Sequence, residues 1–302
     1  MSNYLVEEHH GTTLKKGSRA RSPLPNNYRP ELDMTEELEG EEGASYFQSL
    51  VGILRWMVEL GRIDIITEVS MLASHLALPR RGHLKSIFHM FAYLKAHHNA
   101  TIVMDPSYPQ IDHSVFKTCN WSDMYPGATE PIPPNAPEPR GKSIDVILYV
   151  DSDLAGDNIN RRSRTGYMIY VNSRALVIAH SKKQARIETS VFGAEFCALT
   201  QGMDRMRGLR YKLRTMRIPM KGPTYAYGDN MSVIHNTQRP DSTLKKKCNS
   251  IAYHACCEAV AAGEMITGHV PSEKIPADLA TKIVPPGQKR DGLLDIVMYD
   301  FR

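Results

Sequence analysis

From Ile144 to Asp157 the chain reads Ile-Asp-Val-Ile-Leu-Tyr-Val-Asp-Ser-Asp-Leu-Ala-Gly-Asp. Apolar and β-branched residues run together and then give way to acid. Such a run favours a strand, and a strand held in its ladder fixes the side chain it carries at its end. Asp151 is that side chain. Whatever fold this chain adopts must place a rigid carboxylate at the rim of a sheet, a position suited to holding a metal ion. Glu195, Asp229 and Asp278 are the later acids able to join it. Four carboxylates brought together without cations repel one another strongly, and a divalent cation is the simplest remedy.

The pattern after residue 143 alternates between the two periods of regular structure. It predicts strands at 144–150, 167–171 and 176–181, with a turn at 161–166. A helix follows at 192–216, with Phe196, Leu199, Met203, Met206, Leu209 and Leu213 on one face. Pro219 and the Gly222-Pro223 pair end it. A strand at 224–227 runs into Asp229, followed by a short helix at 232–236 and a longer one at 245–262. A fifth strand at 265–270 and a helical segment at 276–283 complete a mixed α/β sheet covered by helices.

Upstream, residues 1–43 are polar and aperiodic and read as an extended or disordered arm, whose end at 23–33 is able to lie along a folded surface. Helical spacing over 44–60, 64–78 and 83–98 makes a small helical unit that ends in a short strand, 44–104 in all. Residues 105–143 form a linker, with Pro131, Pro133, Pro134, Pro137 and Pro139 stiffening its end. The sheet domain is then 144–302. Arg55, Glu59, Arg62 and Asp64 read as helix-end charges.

Composition narrows the class of protein. At 302 residues, 42% hydrophobic and 23% charged, the chain is ordinary globular material with a net charge of +4. Charge is clustered rather than excessive: Arg161, Arg162 and Arg164; Lys182, Lys183 and Arg186; Lys245, Lys246 and Lys247. Basic groups around an acidic centre suit a polyanion held at the rim and cut in the middle. Any one cluster taken alone reads as solvated loop charge. Five cysteines, an odd number without a C-x-x-C pair, and no leader-like start read as a reduced intracellular protein of cytoplasm or nucleus. No apolar run approaches membrane-spanning length. Cys256 and Cys257 beside His254 fit a buried helix face better than a zinc site.

The ordered phrases resemble one family. Tyr149-Val-Asp-Ser-Asp-Leu-Ala-Gly-Asp157, Arg162-Ser-Arg-Thr-Gly-Tyr167, Ser181-Lys-Lys-Gln184, Gly193-Ala-Glu-Phe-Cys-Ala-Leu199, Gly228-Asp-Asn-Met-Ser-Val233 and Ala277-Asp-Leu-Ala-Thr-Lys282 occur in this order. They are similar to the ribonuclease H domain of copia-type retrotransposon Pol polyproteins. Tyr46-Phe-Gln-Ser-Leu-Val-Gly-Ile-Leu-Arg-Trp56 and Ala92-Tyr-Leu-Lys95 resemble the segment that connects reverse transcriptase to that domain. Each phrase alone is weak, and the ordered set is specific.

The resemblance implies a ribonuclease H-like α/β fold with a five-stranded mixed sheet flanked by helices, preceded by a small helical connection unit. It implies an Mg²⁺-dependent endonuclease that cuts the RNA strand of RNA–DNA hybrids during reverse transcription. Asp151, Glu195, Asp229 and Asp278 would be the catalytic, metal-holding acids for two ions, with Mn²⁺ as substitute. The expected partners are the hybrid and the rest of the Pol polyprotein, its reverse transcriptase palm and integrase, with no membrane. No Tyr-x-Asp-Asp tetrad occurs, so polymerase activity is not expected.

The chain departs from the family at 247–250, which read Lys-Cys-Asn-Ser, and at Gly193, where the family commonly carries a second acid in the first helix. These departures keep open a catalytically inactive remnant that binds nucleic acid or a partner. An integrase-like core is disfavoured by the Glu in the first helix. His269 is a candidate loop histidine, and Asp153 and Asp157 read as turn residues rather than ligands. Singly, each acid also has a structural reading: Asp151 and Asp229 as turn or helix caps, Glu195 as an exposed helix residue, Asp278 as an N-terminal cap.

Overall fold

The computed structural model describes residues 20–38, 40–241, 244 and 249–299. The helical unit comprises α1 (Gly40–Glu59), α2 (Ile66–Leu72) and α3 (Arg81–Ala96). The middle helix of the expected three is broken, with 3₁₀ turns at Ile63–Ile65 and Ala73–His75 on either side of α2. Phe47, Leu50, Val51 and Leu54 of α1 meet Val69 and Leu72 of α2 and Ile87, Met90 and Phe91 of α3 in one core. The described end of the arm is part of it, because Leu24 is fully buried among those side chains. Apolar burial of that size is worth about 2 kcal/mol, enough to fix a segment whose composition looks disordered. The first 19 residues lie outside the described residues.

β1 (Thr101–Ile102) leaves this unit and pairs with β7 (Met298–Tyr299), the last described strand. Between them lies a five-stranded sheet of β2 (Val146–Asp153), β3 (Arg164–Val171), β4 (Ala175–Lys183), β5 (Thr224–Gly228) and β6 (Met265–His269). Its order is β4-β3-β2-β5-β6. β2, β3 and β4 form an antiparallel meander, while β5 and β6 run parallel to β2. This is the mixed ribonuclease H-like sheet that the sequence predicts. β2 extends further than expected, so that Asp151 lies within the ladder opposite Gly166 rather than at its end.

Helices cover both faces. On one, Phe196, Leu199, Met203, Met206 and Leu213 of α4 (Val191–Thr215) pack on Val146, Leu148 and Val150. α5 (Met231–Gln238) and α6 (Ser250–Ala261) complete that layer. Cys256 and Cys257 are fully buried in it as free thiols pushed up to about 12 by burial, as expected for a helix face. On the other face, Ile147, Met168 and Tyr170 meet Leu279 and the Leu293, Leu294 and Val297 stripe of α7 (Gln288–Val297).

Residues 105–143 do more than span. Trp121 is buried in the α4-side core, and Glu130 accepts paired hydrogen bonds from Arg210 at 2.7 and 2.8 Å. Segments from outside the sheet touch both of its edges. Phe116 bridges to Gly268 on β6, and Ser70 of α2 donates to the Ser181 carbonyl of β4 at 2.8 Å.

Candidate metal centre

The expected acids arrive from separate elements at one end of the central strands. Asp151 is carried by β2, 2% exposed, and Glu195 by the first turns of α4, 6% exposed. Asp229 follows directly on β5 and is half-buried. One carboxylate oxygen from each of these three lies within 4.8 Å of the others. Asp278 sits in the 3₁₀ turn Pro276–Ala280, fully buried beside Asp151.

The local chemistry explains this convergence. Ser190 caps α4 by accepting from the Gly193 amide at 3.1 Å, which starts the helix where Glu195 faces inward. A Cβ at 193 would stand 2.4 Å from Oε2 of Glu188, so a second acid there requires the Glu188 side chain to move. Gly166, opposite Asp151, lets the Asp278 turn approach closely: a Cβ would stand 2.8 Å from the Ala277 carbonyl oxygen and 2.6 Å from Thr281 Cγ2. The Ser152 amide donates to Glu195 at 3.4 Å, the Thr281 hydroxyl donates to Asp151, and the Ser272 hydroxyl donates to Asp229.

Electrostatics at the cluster favour a bound cation. Burial first, and then the neighbouring Asp278 charge, holds the Asp151 carboxyl well above the usual carboxylate range. Burial, followed by the charges of Asp151 and Asp229, does the same to Glu195. A divalent ion among them would offset that cost and favour the ionised, ligating form. Hard oxygen donors on rigid elements fit a divalent cation.

Sequence reasoning missed the cations that serve Asp278. Lys282 Nζ stands 2.7 Å from Oδ1 of Asp278 and 3.8 Å from Asp151, and Lys289 Nζ stands 2.5 Å from Oδ2 of Asp278. Burial lowers the Lys282 ammonium, but Asp151 and Asp278 outweigh it and hold the group above its ordinary value. Thr281 and Lys282 were within the phrase that flagged Asp278; Lys289 carries no signal in the sequence.

The other candidates resolve differently. Asp157 accepts from the Ile159 and Asn160 amides at 3.0 and 2.9 Å and pairs with Lys183, and Asp153 accepts from the Arg164 amide. Asp157 is a turn residue, while Asp153 closes β2 opposite Arg164 rather than lying in the turn. His269 ends β6 opposite Gly228, next to Asp229 in sequence. Lys245, Lys246, Lys247 and Cys248 lie outside the described residues. Among the described residues, no helix is long and apolar enough to cross a membrane.

Behind the acids lies a buried ionic group, two of whose members, Arg62 and Asp64, read in the sequence as helix-end charges. Arg62 makes a two-pronged pair with Asp64 at 2.9 and 2.8 Å. Arg290 of α7 donates to the Asp64 carbonyl and to Tyr93 Oη, both at 3.2 Å. Glu68 is buried beside them, its carboxyl pushed up to about 7 by burial.

No family model matches the chain. It is 23% identical over 275 residues to the retrovirus-related Pol polyprotein from transposon TNT 1-94 of Nicotiana tabacum, covering 90% of this chain and 18% of that protein. It is also 23% identical over 236 residues to the corresponding polyprotein from transposon RE1 of Arabidopsis thaliana, covering 78% of this chain and 14% of that one. The chain thus spans less than a fifth of the length of these relatives.

Among solved structures, the N-terminal RNase H domain of a Mycobacterium tuberculosis protein matches at a TM-score of 0.37 and 14% identity, covering 51% of this chain and 96% of that one. LC11-RNase H1 in complex with an RNA/DNA hybrid matches at 0.37 and 17%, covering 45% and 94%. The fold assignment rests on strand order and direction rather than on these scores. The chain is homologous, over most of its length, to the Pol polyproteins of copia-type retrotransposons.

Proposed function

We propose that this chain is a metal-dependent endonuclease of ribonuclease H type that hydrolyses the RNA strand of RNA–DNA hybrids during retrotransposon reverse transcription. The observation that carries the reading is the approach of Asp151, Glu195 and Asp229 to within 4.8 Å at one end of the central strands. Asp278 is the fourth acid, and Mg²⁺ is the ion, two of them, with Mn²⁺ as substitute. Bound divalent ions supply an activated water and stabilise the departing oxygen of the phosphodiester. The chain's part is to hold the carboxylates still: Thr281 orients Asp151, Ser152 orients Glu195 and Ser272 orients Asp229.

The helical unit serves, in this reading, as the connection to a reverse transcriptase palm, and the remaining partners are the other parts of a Pol polyprotein, including an integrase. Cytoplasm or nucleus is the compartment. A second reading, a catalytically inactive remnant that binds nucleic acid or a partner, is favoured by one observation: Lys282 and Lys289 already neutralise Asp278.

The test is a labelled RNA–DNA hybrid incubated with the protein in Mg²⁺, in EDTA, and beside Asp151→Asn. Cleavage of the RNA strand alone, lost in both controls, supports the nuclease. Binding without a metal-dependent product from well-folded protein supports the remnant.

A further inference from the structure

Gly193 and the 247–250 stretch, where this chain departs from the family it resembles, are far apart in sequence. The fold brings them together at Glu188, in the connector between β4 and α4. Glu188 is 8% exposed, and Asn249, which directly precedes α6, is 1% exposed. Asn249 Nδ2 donates to Oε2 of Glu188 at 3.4 Å, and Arg186 Nε pairs with Oε1 at 3.0 Å. The Arg186 side chain is 57% exposed, so its pair is largely screened. The bond to Asn249 is buried. A carboxylate is costly to bury without partners, and Glu188 is buried with its two oxygens engaged on different sides.

Glu188 covers the first turn of α4. The backbone at Gly193 is ordinary helix, so conformation does not call for glycine there. Space does: a Cβ would collide with Oε2 of Glu188 and stand 3.2 Å from Nδ2 of Asn249. An acidic side chain at 193 and the carboxylate of Glu188 thus compete for one position, and this chain fills it from 188. Glu195 lies two residues further along the same turn. The other end of the connector holds this turn too, because Gln184 donates to the Ala194 carbonyl at 3.0 Å, at the peptide unit that leads into Glu195.

We propose that Glu188 is a positioning residue of the metal centre. It supplies from the connector the carboxylate that position 193 lacks, and through Asn249 it ties the start of α4, and with it Glu195, to the start of α6. The inference rests on the metal-centre reading and deepens it. Gly193 and Asn249 become two halves of one compensated exchange, not separate losses.

The experiment uses the full chain and MgCl₂ alone. It reads Mg²⁺ affinity by calorimetry and hydrogen exchange of the first-turn amides of α4 in EDTA. Glu188→Ala and Asn249→Ala are each expected to weaken Mg²⁺ binding about 10-fold and to speed exchange in that turn, and the double variant to be no worse than either. Glu188→Gln, whose side-chain oxygen still accepts from Asn249, is expected to stay near wild type. Gly193→Glu alone is expected to lose Mg²⁺ affinity and to regain it when combined with Glu188→Ala. If Glu188→Ala does not fold, Asn249→Ala beside Glu188→Gln carries the same comparison. Additive losses in either pair overturn the shared position. Faster exchange with Mg²⁺ affinity unchanged overturns the positioning role and leaves the nuclease standing. A wild type that binds no Mg²⁺ overturns the metal-centre reading and this inference together.

Discussion

The ammonium of Lys282 stands 2.7 Å from the carboxylate of Asp278, one helical turn before it, and 3.8 Å from Asp151. A lysine therefore supplies positive charge at the place where the acid cluster calls for it. Lys282→Met removes that charge and leaves Asp278 with Lys289 alone. Because the Lys282 side chain is 43% exposed, the loss is that of a partly screened pair, roughly 1 kcal/mol. Thermal melts should show the variant less stable than wild type in EDTA, with the gap narrowing in saturating Mg²⁺. A gap that is the same in both conditions would show that Lys282 and the ion do not share this charge.

Divalent cation should stabilise the wild type itself. Binding only to the folded state adds about 2.7 kcal/mol at a concentration one hundred times the dissociation constant. The midpoint of urea unfolding is expected to rise with Mg²⁺ in wild type and to stay level in Asp151→Asn. An equal rise in both proteins would place the bound ion somewhere other than Asp151.

Glu68 makes stability depend on pH. Burial lifts its carboxyl from an ordinary value near 4.5 to about 7, against the opposing pull of Arg290. The folded state therefore binds this proton more tightly than the unfolded state does. Stability from this group is fully present below about pH 4.5 and is lost as pH rises through about 7. Glu68→Gln removes that loss, so the variant should gain up to roughly 3 kcal/mol over wild type at pH 8 and nearly nothing at pH 4.5. Urea titrations at the two pH values measure it, and a parallel pH dependence in both proteins would refute the assignment.

Gly166→Ala tests the close approach behind Asp151. The added methyl would stand 2.8 Å from the Ala277 carbonyl oxygen and 2.9 Å from the Ala280 Cβ, so the Asp278 turn must shift. Overpacking of this kind costs about 1–3 kcal/mol. Hybrid cleavage should fall further than stability does, since the turn carries an acid of the centre. Full activity in the variant would mean that the position of this turn does not matter to the chemistry.

The sheet was legible because its strands are dense in β-branched and aromatic residues and its longest helix keeps a clean apolar stripe from Phe196 to Leu213. The acids were legible because they follow strands or open helices in a fixed order. What sequence hid was burial of charge. Asp64, Glu68 and Arg290 look like ordinary surface charges until α2 and α7 meet around them. α7 itself begins Gln-Lys-Arg-Asp-Gly, with no apolar residue in its first turn, and so it was not anticipated. Trp121 and Glu130 sit in a stretch whose prolines suggested a spacer, and only the position of α4 shows that both are anchors.

The chain's two tryptophans sit in opposite surroundings: Trp56 on α1 is 66% exposed, and Trp121 in the linker is 6% exposed. A dissolved quencher such as iodide reaches the first and is shut out from the second. The emission that survives quenching therefore comes from one indole wedged between the linker and the sheet. Its colour becomes a built-in gauge of whether that anchor holds, readable in the natural chain without any attached dye.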